Sequence, residues 1–349
     1  MNRFLEFYKE VKPMIEKSLN NFNDEILKEN NSIIKENLNV FADLNNCGKM
    51  IRGTLIALGY KFNNEDINYA INLSTAYEIF ETAILVHDDI IDNDVLRRGK
   101  ITVHAFNNEK YQKYLDHKHL SDSIGICIGD YGLYKANDLI VKNYYNDKNF
   151  YKILSTYNQT VIDTIRGEIV DVISPFEEKN KLFLGDTEKN VMDIYTLKTS
   201  YYTLVGPMML GMLLGNNSEK EIDDIKKFTL PLGIAFQIQD DLLGIYSSDE
   251  KLGKTVGSDI KEFKQTLLYS FIKNTNYYDE LLKHYGNEDY NLKEVQQIFE
   301  KSGAKDYAIN KMEELYNESK EVLNNISWLK NDDKEILYDL ITFLKERKK

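Results

Sequence analysis

Proline is scarce in this chain. Its 349 residues hold four, Pro13, Pro175, Pro207 and Pro231, so long helices meet few breaks. Cysteine is scarcer still. Cys47 and Cys127 offer neither a disulfide framework nor zinc-ligand spacing, so a reducing cytoplasm is the expected location. An excess of positive charge is also missing: 44 Lys and Arg against 56 Asp and Glu give a formal charge of -12. That argues against nucleic acid as a partner, because phosphate backbones need a basic face. It leaves open a phosphorylated small molecule neutralised by divalent cations. The longest apolar run, "LVGPMMLGMLLG" from Leu204, is about half the ~20 residues that span a membrane and reads as a buried helix. The first residues, "MNRFLEFYKEVKPMIEK", lack an uninterrupted apolar core and do not read as a signal peptide. A soluble protein is expected.

Apolar residues recur instead at three-and-four spacing, and alternating strand-like runs are absent, so the expected class is all-α. With 42% hydrophobic and 12% aromatic residues the chain can bury a sizeable core. The stretch "NEDINYAINLSTAYEIFETAILVHDDIID" reads as one helix, capped by Asn64 and apolar all round before Asp88, as at the centre of a bundle. Further helices are expected over about 123–145, 148–173, 186–214 and 218–246, with breaks at "NNCGK", "RRGKIT", "SPFEEKNK", "GNNSEK" and "SSDEKLGKTVGSD". None of these breaks has the composition of an interdomain linker, so one large domain over 1–349 is expected.

The central helix ends in "ILVHDDIIDNDVLRRGK". Asp88 and Asp92 are one turn apart and share a face, while Asp89 points about 100° away. Acids so placed repel by roughly 0.2–0.5 kcal/mol per pair. Magnesium would reverse that cost, since it takes one or two protein carboxylates and fills its remaining positions with water and phosphate oxygens. A solvated acidic helix end is the plainer alternative, but Arg97, Arg98 and Gly99 follow at once. A second apolar helix ends in Asp240 and Asp241 and runs into a basic, glycine-containing loop with Lys254 and Lys264. Two such ends on two helices suggest facing halves of one metal site, as bundles build between helices. "CGKMIRGTL" adds Lys49 and Arg52, and "LKTSYYT" adds Lys198 and Thr199. Arginine offers a fork for paired phosphate oxygens and lysine a movable point charge. His87 and His104 read as packed or hydrogen-bonded residues without a chemical role.

From about Cys47 to Thr266 this ordered set resembles the trans-isoprenyl diphosphate synthases, the head-to-tail prenyltransferases that make farnesyl, geranylgeranyl and longer diphosphates. The resemblance implies an isoprenoid synthase helical bundle around a deep central cavity, and a homodimer. It implies magnesium, three ions bound together with diphosphate, on Asp88, Asp92 and Asp240, with Asp89 and Asp241 secondary. It assigns Arg97 to the allylic diphosphate and Arg98, Lys49 and Arg52 to isopentenyl diphosphate. Lys198, Lys254 and Lys264 match lysines around the allylic diphosphate. Thr199, Tyr202 and Gln237 match polar residues beside the reacting carbons, and Phe236 matches a ring near the isopentenyl unit. In the basic end "KERKK", Arg347 matches a tail contact. The pattern departs from the family at Gly244, where many members have a third aspartate, at Glu81, a substrate-binding position near the isopentenyl diphosphate where His or Gln is common, and at Glu168, where Gln is common. A class I terpene cyclase would share the fold but needs no second diphosphate grip, and a non-catalytic regulatory subunit would be expected to lose acids from the motifs.

Within the resemblance, the growing chain extends along the helix before Asp88. Tyr77, Phe80 and Ala83 lie three apart, and Ala83 and Ile84 are small or medium-sized where farnesyl makers place an aromatic ring. Three residues rise about 4.5 Å, close to one isoprene unit. The expected product is therefore geranylgeranyl diphosphate, with farnesyl or a longer polyprenyl diphosphate as the alternative.

Overall fold

The computed structural model describes residues 2–182, 185–247 and 256–346. Lys254 and Arg347 lie outside the described residues. The class is all-α: among the described residues the strands are the two short arms of one hairpin, β1 (Leu96–Arg97) and β2 (Lys100–Ile101). The chain divides into two compact units.

One unit comprises Glu6–Ser155 and Pro207–Asn217. Within it α2 (Ser32–Asn45), α3 (Ile51–Lys61), α4 (Ile71–Ile91), α5 (Val103–Tyr111) and α6 (His117–Tyr144) follow α1 (Arg3–Ile26). Helix α4 is the central one. It packs along α6 and α3, and Leu73, Ala76, Tyr77, Ile79, Phe80 and Ala83 are fully buried. This is what an apolar surface on all sides requires. The start differs from the expectation: a 3₁₀ turn, Ile67–Ala70, precedes α4, and its cap is Asp66, whose side chain accepts from the Asn68 N–H. Asp66 sits two residues nearer the turn than Asn64, and its carboxylate reaches the orphan N–H.

The other unit comprises Met1–Leu5, Thr156–Gly206 and Ser218–Lys349. It holds most of α7 (Phe150–Lys179), then α8 (Thr187–Ile194), a π-helix (Tyr195–Val205) and α10 (Glu219–Tyr246); the short α9 (Gly206–Leu214), between the last two in sequence, belongs to the first unit from Pro207 on. Later helices Ala304–Asn325 and Asn331–Lys345 pack on α10. Helix α7 runs through Pro175 to Lys179, past the break expected at "SPFEEKNK". Proline removes one N–H there, and the turn is tied to distant chain by Gln265 Nε2, which donates to the Ser174 carbonyl at 3.1 Å. Ser218 caps α10 in a reciprocal capping box with Glu221, which stabilises that helix start by about 1 kcal/mol.

Candidate active site

In the first unit the acidic end of α4 is closed by its own sequence. Asn93 adopts φ +56°, and the Asp94 N–H donates to the Asp89 carbonyl at 2.8 Å, a left-handed cap that Asn accepts at low cost. The chain then forms the β1–β2 hairpin, in which Arg97 pairs with Lys100. Arg98 and Gly99 form its two-residue turn at φ +52° and +77°, values that a type I′ turn demands at both central positions. Gly99 takes this freely, whereas Arg98 is held in a conformation that costs a β-carbon residue roughly 1 kcal/mol.

This turn brings the arginines back onto α4. Arg97 Nη2 lies 2.9 Å from Asp88 Oδ2 and 3.5 Å from Asp94 Oδ2, and its Nε donates to Asp89. One guanidinium thus offsets the repulsion among three acids. Asp89 is buried, and burial pushes its carboxyl up to about 7 despite the Arg97 ion pair. Asp88 and Asp92 stay half-buried. Arg98 Nη2 and Arg52 Nη1 both reach Glu81 Oε1, at 2.8 and 2.9 Å. Burial raises the Glu81 carboxyl, but Arg52 and Arg98 outweigh it and bring it down to about 2. The carboxylate at position 81 is therefore ionised and paired. Lys49 lies exposed just before α3, its carbonyl accepting from the Tyr8 hydroxyl at 2.6 Å.

Tyr77 and Phe80 meet edge to face, 5.2 Å between ring centres. Ala83 faces α6: a Cβ added at Gly132 would come within 2.8 Å of Ala83 Cβ and 2.6 Å of the Phe41 ring. An aromatic ring at 83 would therefore strike Gly132 and Phe41. Ile84 is half-buried. His87 Nε2 is 3.1 Å from the Ile126 carbonyl, and His104 is buried beside Thr102.

In the other unit the π-helix carries Lys198, Thr199 and Tyr202. A π segment widens the backbone and often marks a functional site. Here it accompanies a close approach of α7: a Cβ at Gly167 would lie 2.5 Å from the Lys198 backbone N, so only glycine fits. The approach places Lys198 Nζ 2.6 Å from Glu168 Oε2 and 2.7 Å from Asp171 Oδ2, with Lys264 Nζ 3.2 Å from the same Asp171 oxygen. Burial raises the Asp171 carboxyl, but the two lysines outweigh it and bring it below its usual range. Glu168 is therefore a partner of Lys198.

A second chain of contacts runs to α10. The Thr199 hydroxyl donates to Gln237 Oε1 at 2.7 Å, Gln237 Nε2 donates to Asp241 Oδ1 at 2.8 Å, and the Tyr195 hydroxyl donates to Asp241 Oδ2. Burial first, then the charge of Asp259, pushes the Asp241 carboxyl up to about 8. Asp241 thus faces inward onto protein donors, whereas Asp240 is half-buried on the next position of the helix. Phe236 and Tyr202 are buried. Sequence reasoning missed Tyr195, which no local pattern marks. It also missed Glu78, which lies three residues before Glu81 on the same face of α4 and could have been found by that spacing.

Among the described residues no three His, Cys, Asp or Glu side chains gather as a metal cage. The half-buried Asp88 and Asp92, two hard oxygen donors one turn apart, nonetheless fit magnesium, which commonly takes only one or two protein carboxylates. No described helix is long and apolar enough to cross a membrane, and the two cysteines are free.

The Polyprenyl synthetase family profile matches residues 34–302. A short chain isoprenyl diphosphate synthase of Methanothermobacter thermautotrophicus is 32% identical over 266 residues, 75% of each chain. A geranylgeranyl diphosphate synthase of Sulfolobus acidocaldarius is 29% identical over 80% of this chain and 81% of its own. The crystal structure of a Corynebacterium glutamicum geranylgeranyl pyrophosphate synthase, complexed with isoprenyl diphosphate and magnesium, shares the fold at a TM-score of 0.86. It does so with 21% identity, covering 98% of this chain and 99% of that one. The profile match takes in both acid-ended helices, α4 and α10, together with Arg52, Arg97, Arg98, Lys198 and Lys264, and on that basis the chain belongs to the polyprenyl synthetase family.

Proposed function

We propose that this prenyltransferase condenses isopentenyl diphosphate head-to-tail with allylic diphosphates, the two units acting together as one catalytic domain and geranylgeranyl diphosphate being the main product. One observation carries the reading: each unit sets a basic cluster beside an acid-ended helix, Arg52, Arg97 and Arg98 with α4, and Lys198 and Lys264 with α10. These cations, divided between Arg52 with Arg98 and Arg97 with the two lysines, suit two diphosphates, whereas a terpene cyclase needs one. A regulatory subunit would not need Asp88, Asp92, Asp240 and Asp241, all of which are present.

In this reading Lys49, Arg52 and Arg98 grip isopentenyl diphosphate, and Arg97, Lys198, Lys254 and Lys264 hold the allylic diphosphate. Asp88, Asp92 and Asp240 would hold magnesium, three ions in all, which neutralises the diphosphate charge that builds as the allylic carbon–oxygen bond breaks. Thr199, Tyr202 and Gln237 present oxygens to the allylic cation, and Phe236 lies by the isopentenyl unit. The isopentenyl double bond attacks that cation, and a proton then leaves to the departing diphosphate. Binding orients the two carbons, and the apolar wall of α4 with the Arg347 tail excludes water. The protein works in the cytoplasm as a homodimer. An exposed apolar stripe on α7, Ile162, Ile165, Ile169, Val172, Ile173 and Phe176, supports a partner surface.

Labelled isopentenyl diphosphate with separate dimethylallyl, geranyl and farnesyl primers tests the reading. Magnesium-dependent label transfer is expected, and its absence with every primer refutes it. In the same assay Arg52→Ala should raise the apparent KM for isopentenyl diphosphate about tenfold or more, the loss of one charge-assisted contact, with the allylic KM little changed. The opposite split would reassign the grip.

Product length gives a further expected result. Phe80→Ala should remove the ring that Tyr77 packs against and lengthen the product, and Ile84→Phe should shorten it to farnesyl. Ala83→Phe instead overpacks the contact with Gly132 and Phe41, destabilising by about 1–3 kcal/mol. Chromatography of dephosphorylated products checks the first two, and an unchanged profile in both moves the floor away from α4.

A further inference from the structure

The basic set of the first unit contains a negative charge that a phosphate site does not require. Glu81 is 3% exposed, and a single oxygen, Oε1, accepts from Arg52 Nη1 at 2.9 Å and Arg98 Nη2 at 2.8 Å. Two guanidinium groups converging on one oxygen is the arrangement a phosphate oxygen would impose on them. Arg98 is kept there against a positive φ of 52°, in a turn position that Asn or Gly fills more readily. Its contact with Glu81 contributes against this strain. Arg52 approaches from the first turn of α3, so the two arginines come from separate elements and meet at this carboxylate. The neighbouring acid is held by a backbone contact. Glu78 is buried and accepts the Gly53 N–H at 2.7 Å, and burial, then the Glu81 charge, pushes its carboxyl well above the usual range.

We infer that Glu81 is a resident counter-ion of the Arg52–Arg98 grip: it presets the two arginines and lowers their affinity for a diphosphate by competing for the same N–H donors. The inference rests on the reading of Arg52 and Arg98 as a diphosphate grip. An arriving diphosphate meets two cations already partly neutralised, and its oxygens must share or displace Glu81 Oε1. Glutamine at 81 keeps an acceptor oxygen at the same reach, so the arginines stay placed while the competing charge is gone. Aspartate keeps the charge and shortens the reach.

The test is calorimetric titration of inorganic pyrophosphate, without magnesium, into the parent, Glu81→Gln and Glu81→Asp. Glu81→Gln should bind on the order of tenfold more tightly, the effect of one unit charge several ångströms away in a partly exposed site. Glu81→Asp should show no such gain. Unchanged or weaker binding by Glu81→Gln, or an equal gain by Glu81→Asp, overturns the inference. So does a gain of undiminished size in an Arg52→Gln background, which would place the added affinity elsewhere. Thermal unfolding provides a second readout. The free Glu81→Gln protein should melt below the parent, because two arginines lose their shared anion, and pyrophosphate should raise its melting temperature by more than it raises the parent's. A smaller rise also overturns the inference. These measurements need no turnover: a parent protein inactive on every prenyl substrate would count against the prenyltransferase reading, while the pyrophosphate comparison would still decide the role of Glu81.

Discussion

Replacing Asp92 with alanine should cut turnover about a hundred- to a thousandfold, the usual effect of removing one charge contact to the transition state, while the melting temperature holds or rises slightly. Asp92 is the C-cap of α4, where the helix dipole disfavours a carboxylate by about 0.3–1 kcal/mol. The cap geometry belongs to the backbone, the Asp92 N–H donating to the Asp88 carbonyl at 2.8 Å, so alanine keeps it. Asp88→Ala should be as damaging to turnover, yet mild for the fold, because Arg97 still has Asp89 and Asp94. Initial rates over a magnesium titration, run beside thermal unfolding of the same preparations, check both. Near-parental rates at saturating magnesium in either variant would end the metal-site reading.

Lys198→Ala should have the second-largest effect, lowering turnover ten- to a hundredfold or raising the allylic KM to match, and here stability should fall as well. Lys198 bridges Glu168 and Asp171 at 2.6 and 2.7 Å. Removing it leaves Asp171 with Lys264 and takes a cation away from Glu168. Breaking a fully buried pair costs about 3–5 kcal/mol. Since the Lys198 side chain is 24% exposed, about 2 kcal/mol is the expected loss. The pH dependence follows from Asp171, whose native carboxyl titrates below its unfolded value because Lys198 and Lys264 together outweigh burial. Such a group adds stability above the unfolded value, near pH 4, and loses it as the pH falls through the native value. The deficit of Lys198→Ala should therefore be full at pH 7 and shrink in acid. Urea midpoints of the parent and variant at pH 7 and near pH 3 measure this. A deficit that grows as the pH drops would show that the lysine does not stabilise the Asp171 carboxylate.

Much of this protein was legible before any coordinate. Three-and-four periodicity depends only on neighbours in the chain, so the all-α class, the acid-ended α4 and α10, and the helical span 186–214 could be read from it. The order of Lys49, Arg52, Asp88, Asp92, Arg97, Arg98, Lys198 and Asp240 marked the family for the same reason. Helix ends were read less well, because a cap or a proline is decided by what packs on it: Asp66 and not Asn64 starts the α4 region, and α7 passes Pro175.

What each charge faces belonged to the tertiary structure. Arg97 turns onto three acids through a left-handed cap and a type I′ turn, and Arg98 reaches Glu81 from 17 residues away. Lys264 meets Asp171 across 93 residues, and Lys198 does so only because Gly167 lets α7 press against the π-helix. Asp241, adjacent in sequence to Asp240, was given to Tyr195 and Gln237 instead of to solvent. Ala83, placed by spacing on the same stripe as Phe80, met Gly132 of α6. Spacing along a helix determines which side chains share a face, but the partner of that face comes from distant chain, and burial against that partner decides whether a carboxylate is a metal ligand, an ion-pair partner or a neutral acid.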